Sequence, residues 1–147
     1  MANEFHYCAS LSITHPSVDP KSISEIITEF PPRIETMAGS ERRSRDGTLI
    51  VPHRKAVLSH WLAYLHNEER LYSGEHPVSD FLLGKLQKLE KYTDFISQMR
   101  QQGAVTLVIG WFSESNYTAE IFTAELLKKC GDIGLDIELN IYGHSST

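Results

Sequence analysis

Residues 104–142, AVTLVIGWFSESNYTAEIFTAELLKKCGDIGLDIELNIY, decide the reading of this chain. AVTLVIGWF is rich in β-branched and aromatic residues and opens directly after Gly103, as a strand does. EIFTAELLKKC has helical composition, and Gly131 predicts where that helix stops. GLDIELNIY alternates without error. Leu135, Ile137, Leu139 and Ile141 fall on one side, and Asp136, Glu138, Asn140 and Tyr142 on the other. Period two means a strand with one face in a core and one face turned elsewhere. Trp111 and Phe112 are consecutive, so they point to opposite faces. Trp111 continues the apolar set Val105, Leu107 and Ile109, which leaves Phe112 as the outsider.

Upstream lies a long amphipathic stripe. Leu82, Leu86, Leu89, Tyr92, Phe95, Ile96 and Met99 recur at three- and four-residue spacing. The pattern predicts one helix over 80–102, ~35 Å long at ~1.5 Å per residue. Ser79 is its expected cap, with Val78 and Leu83 as a staple. Residues 67–77 are polar and read as a loop. Residues 56–65 read as a strand whose core face is Val57, Ser59, Trp61, Ala63 and Leu65. The segment 39–55 gathers Arg42, Arg43, Arg45, Arg54 and Lys55 around the turn signal Asp46-Gly47. It is the interior segment expected to move most. A short strand is expected over 33–38.

The N-terminal third repeats the logic. Over 5–14, Phe5, Tyr7, Ala9, Leu11 and Ile13 face one way, and His6, Cys8, Ser10, Ser12 and Thr14 the other. Asp19-Pro20 opens a helix, Asp19 as N-cap and Pro20 preset for the first helical position. Its core stripe is Ile23, Ile26, Ile27 and Phe30, and Pro31-Pro32 stops it. The order β-α-β-β-α-β-α-β predicts an α+β two-layer sandwich. Its first six elements match a ferredoxin-like βαββαβ arrangement, with an αβ unit appended and helices on one face of a mainly antiparallel sheet.

At 147 residues the chain is expected to be one domain that buries about 68–70% of its unfolded surface. The net charge of −5 speaks against nonspecific binding to nucleic acid or anionic lipid. No apolar run approaches the ~18 residues of a membrane span, and the N-terminus lacks the pattern of a signal peptide. Cys8 and Cys130 are too few for a disulfide framework and read as free thiols in a reducing compartment, so a cytoplasmic address is expected.

Several stretches carry a family likeness. YCASLSI, the helix start VDPKSISEII, the arginines after Gly39, Trp61, and above all AEIFTAELLKKCGDIGLDIELNIYG resemble a bacterial family of short stand-alone chains catalogued as domain of unknown function 4279. The resemblance implies a bacterial cytoplasmic domain, and because the family has no established reaction it offers no catalytic residues to carry over. Some similar small α+β families are immunity proteins against secreted toxins, which admits an inhibitor of that type.

The chemistry-bearing residues form no established site. His6, His15, His53, His60, His66, His76 and His144 show no metal-ligating spacing and read as surface or loop histidines. Cys8 and His6 share a strand face, but same-strand neighbours point in parallel and rarely meet. No glycine-rich phosphate loop is present. No catalytic residue, metal or cofactor is therefore expected. Two candidate binding surfaces remain. The first is the uncovered sheet face with His6, Cys8, Ser10, Ser12, Thr106, Phe112, Glu138, Asn140 and Tyr142. Phe112 and Tyr142 among small polar residues have the composition of a protein contact surface. The second is the basic segment with Arg42, Arg43, Arg45 and Arg54, whose ordinary reading is a solvated loop. The expected function is noncatalytic binding of another protein or of a second copy. The alternative is a small-ligand binder or enzyme using Asp136, Glu138, Tyr142 and His6 on the uncovered face.

Overall fold

The structure, a computed structural model, describes residues 4–40 and 56–143. The second candidate surface, with Arg42, Arg43, Arg45 and Arg54, lies outside those residues. A mixed α+β architecture is observed. The chain runs β1 (His6–His15), α1 (Pro20–Ile26), β2 (Pro32–Thr36), β3 (Ser59–Tyr64), β4 (Leu71–Tyr72), α2 (Val78–Leu89), α3 (Thr93–Arg100), β5 (Ala104–Phe112), α4 (Ala124–Ile133) and β6 (Asp136–Tyr142). One open sheet follows the order β2-β3-β1-β5-β6, and the short β4 also pairs with β1. Every pairing is antiparallel except β5 with β6.

Strand β1 is the centre of this sheet, and its alternation does what period two demands. Tyr7, Ala9, Leu11 and Ile13 are wholly buried. They meet Trp61 and Ala63 of β3, Val105, Leu107 and Ile109 of β5, and the buried residues Ile23, Leu82, Leu86, Ile96 and Leu126 of the helices in one core. Trp111 joins that core, and Phe112 faces away from it, as the apolar set implied. The helix layer therefore lies on one side of β1, and its small polar residues lie on the other.

Local chemistry places several ends. Asp19 accepts the Lys21 N–H at 3.0 Å as N-cap of α1. Helix α1 stops at Ile26, well before the prolines, and Ile26 is largely exposed, not in the core stripe. The long helix is two helices. A 3-10 turn over Glu90–Tyr92 divides α2 from α3, where the Thr93 hydroxyl bonds back to the Glu90 carbonyl at 2.6 Å. Such back-bonding by a β-branched residue competes with the helical ladder. Ser79 is no cap. Pro77 holds that position, and the Ser79 hydroxyl donates to the Ile121 carbonyl at 2.9 Å.

Helix α4 starts at Ala124, later than its composition suggests, because Thr123 is its N-cap and accepts the Leu126 N–H. It passes through Gly131 and ends at Gly134, whose φ of 100° is open to glycine. Gly131 lies inside a helix where Gly134 supplies the stop. Val57 is 87% exposed and outside β3, whereas Ser59, Trp61 and Ala63 are buried as read.

The polar stretch after β3 hides a strand. The register of β3 on β1 and that of β4 on β1 differ by four residues. The two are one strand interrupted by an excursion over 66–70. Within it His66 replaces the missing sheet partner. Its Nε2 accepts the Ala9 N–H at 3.0 Å, and its Nδ1–H donates to the Glu68 carbonyl at 2.6 Å. Both ring atoms are committed, so the imidazole is neutral. Burial holds the His66 pKa below the ordinary histidine value. His15 is also buried, its Nδ1 accepting the Ser17 and Val18 N–H groups. These two histidines are buried and not at the surface, because each ring accepts backbone N–H groups: His66 that of Ala9 within β1, and His15 those of Ser17 and Val18 just past its end.

The last strand departs furthest from expectation. Leu135 is buried and Ile137 partly so, but Leu139 is 39% and Ile141 70% exposed. Strand β6 stands at the sheet edge, and exposure of its helix-side residues rises with distance from the turn that joins it to α4.

Candidate functional site

The sheet face opposite the helices, which no described element covers, brings together the residues that alternation assigned to it. Cross-strand register sets them in rows. His6 stands between Tyr72 and Phe112, and Phe112 beside Tyr142. Cys8 stands by Gly110, and Gly110 by Asn140. Ser10 lies between Tyr64 and Val108, and Val108 beside Glu138. Ser12 lies between Leu62 and Thr106, and Thr106 beside Asp136.

These rows form a shallow trough. Its floor is small: Cys8, Ser10, Ser12, Thr106 and Gly110. A Cβ on Gly110 would stand 2.7 Å from Cys8 Sγ, so glycine is what leaves the thiol its space. Larger groups shade the floor so well that Ser10, at its centre, is only 6% exposed. Ser10 is thus a covered floor position. The accessible groups are those of the rim.

Two arginines sit over rim aromatics. The Arg70 guanidinium sits 3.6 Å from the ring centre of Phe112, and Arg33 sits 4.2 Å from that of Tyr64. Phe112 also stacks on Tyr142, with ring centres 4.8 Å apart and planes within 9° of parallel. Both arginines are exposed. Stacking of this kind orients a long side chain that would otherwise lose rotamer entropy on binding. Opposite charge comes from the β6 side, where Glu138 accepts the Asn140 amide at 3.0 Å. The trough is therefore bipolar: Arg33 lies over Tyr64 of β3 and Arg70 over Phe112 of β5, while Glu138 lies on β6.

Its chemistry is subdued. Burial pushes the Cys8 thiol up, against a smaller opposite pull from the Gly110 backbone and from Arg70, so the thiolate needed of a nucleophile is disfavoured. Ser12 Oγ and His60 Nε2 are 3.0 Å apart, the contact of a hydroxyl with a base. Burial lowers the His60 pKa, which disfavours the charged ring. Among the described residues nothing bonds to its Nδ1, so the orienting third group of a triad is missing there. No cluster of three metal-ligating side chains occurs among the described residues. A cavity of ~450 Å³ lies elsewhere, between α3 and the end of α4, lined by Ser97, Arg100, Asp132 and Gly134 among others. No described helix is long and apolar enough to cross a membrane.

Sequence reasoning missed Arg33, Arg70, Tyr64 and His60 as members of this face. Arg33 sits where the β2 register shifts between Pro32 and Ile34, which alternation does not foresee. Arg70 carried a signal: Arg70-Leu71-Tyr72 alternates polar, apolar, polar inside a run otherwise read as loop. Comparison with family models, curated proteins and solved structures finds no match.

Proposed function

We propose that this chain is a noncatalytic protein-interaction domain that binds a partner protein through the uncovered sheet face. The observation that carries it is the pair of exposed guanidinium groups held on Tyr64 and Phe112. Arginine and tyrosine are over-represented among residues that dominate binding energy, and pre-ordering lowers the cost of using them. The bipolar rim asks for a partner surface with carboxylates opposite Arg33 and Arg70 and cations opposite Glu138. An immunity-type inhibitor in a cytoplasm fits this description, and so does the resemblance to domain of unknown function 4279. Support for a ferredoxin-like core is the path β2-β3-β1-β5, all antiparallel, with β6 as the appended strand.

The test is charge reversal at both arginines, Arg33→Glu with Arg70→Glu, and pull-down from the native cell. Each position is exposed, so the fold is expected to stand. Loss of the partner captured by the parent supports the reading. Capture at parental strength by the folded variant ends it.

The second reading, an enzyme or small-ligand site on the same face, draws on the Ser12–His60 contact alone. A serine-directed fluorophosphonate probe that labels the parent but not Ser12→Ala would favour it over the first.

A further inference from the structure

Strand β6 is an edge among the described strands, and it lacks the lysine, the proline and the bulge that often protect one. No described strand pairs with its outer side. Edge strands in soluble proteins are usually blunted by lysine, proline, a bulge or an inward charge. DIELNIY contains no lysine and no proline, its two charges, Asp136 and Glu138, point away from the helix side, and its pairing with β5 runs without a register shift. Its helix-side residues Leu139 and Ile141 are exposed at 39% and 70%. Leu127 of α4 is 49% exposed. Two positions are about 200° apart around a helix, so Leu127 lies on the flank opposite Lys129, whose ammonium is bonded to Glu90 beside α2. Apolar surface thus lies along the outer edge of both layers at once.

The strand is also self-complementary. A dyad perpendicular to the sheet keeps both helix layers on one side, so residues facing each other must share parity. Centred on Leu139, antiparallel pairing sets Leu139 against Leu139 and Ile137 against Ile141 on the helix side. On the other side it sets Glu138 against Asn140 and Asp136 against Tyr142. No like charges meet. Sliding two residues one way sets Glu138 against Glu138, which repels. Sliding two the other way leaves Asp136 and Ile137 unpaired. We infer that β6 is a dimerisation edge, pairing antiparallel with β6 of a second copy of this chain in the register centred on Leu139. The two sheets become one, and the two uncovered faces lie side by side on the same surface.

The test is the association state of the full chain by sedimentation, with a register-specific cross-link. The parent is expected to dimerise at micromolar concentration. Leu139→Lys places two ammonium groups at the dyad and should weaken the dimer about tenfold or more, equivalent to about 1.4 kcal/mol. Ile141→Lys, at a position too exposed to disturb the core, should do the same while circular dichroism stays parental. Paired residues in an antiparallel ladder have Cα atoms about 4.5–5.5 Å apart, inside the disulfide range of about 4.4–6.8 Å. Leu139→Cys should therefore form a covalent dimer on mild oxidation, and the parent, with its thiols half-buried or buried, should not. A parent that stays monomeric to millimolar concentration overturns the inference. So does a dimer indifferent to both lysine variants, or one cross-linked by Asn140→Cys in place of Leu139→Cys. Arg33 and Arg70 are untouched by these variants, so partner capture and self-association fail separately.

Discussion

Strands β1 and β6 have the same period-two pattern and opposite fates. In β1 the inward residues Tyr7, Ala9, Leu11 and Ile13 are sealed between two neighbouring strands and the helix layer. Toward and along β6 the equivalent set loosens, from buried Leu135 just before the strand through half-buried Ile137 to Ile141 at 70% exposure. Alternation tells which residues share a face. It does not tell how many neighbours that face has. Burial is the product of both, and energy follows burial.

The sharpest way to break this contrast is to cut a side chain in the centre. Leu11→Ala should lower unfolding free energy by about 2–5 kcal/mol in urea titration, as for a fully buried leucine. A loss under half of that would mean the centre is looser than its burial says. Next in size is the trough floor. Gly110→Ala sets a methyl against Cys8 Sγ and should cost about 1–3 kcal/mol. Adding Cys8→Ala should return part of that loss, and a double-mutant cycle reads the coupling.

Acid should act on the centre and spare the edge. His60 and His66 have pKa values held below the unfolded value by burial. The unfolded state then binds protons first, so their contribution is complete above about pH 6.5 and falls as pH drops below it toward the folded values. Urea midpoints between neutral and mildly acidic pH should fall in the parent. His66→Gln should show a shallower fall, and an unchanged slope would remove His66 as its source. The smallest effect belongs to the edge. Leu139→Ala, measured at concentrations where the chain is monomeric, should cost less than about 1 kcal/mol, because much of that side chain already meets water. Parity with Leu11→Ala would erase the distinction drawn between the strands.

The candidate site was legible to the same extent and for the same reason. His6, Cys8, Ser10, Ser12, Phe112, Glu138, Asn140 and Tyr142 do share one face, since strand parity alone assigns them. The guanidinium groups that make the face interesting were not legible. Arg70 meets Phe112 across a long span of intervening chain, from a stretch too short and too polar to read as a strand. The interruption over 66–70 that delivers Arg70 is made by His66, which reaches back 57 residues to the Ala9 amide.

By itself the sequence determined what depends on near neighbours: the two faces of β1 and β5, the opposite placement of Trp111 and Phe112, the Asp19 cap, and the α+β class. These follow from backbone parity and from side chains that bond within a turn of their own position. Other features needed the whole molecule. The break of the long helix at Glu90, the stop of α4 at Gly134 in place of Gly131, the exposure of Leu139 and Ile141, and the arginines over the trough depend on which element lies beside which. Strand order and helix coverage are settled by the packing of the complete core, where contacts join residues far apart in the chain. No local pattern encodes whether a strand will have a neighbour on both sides or on one.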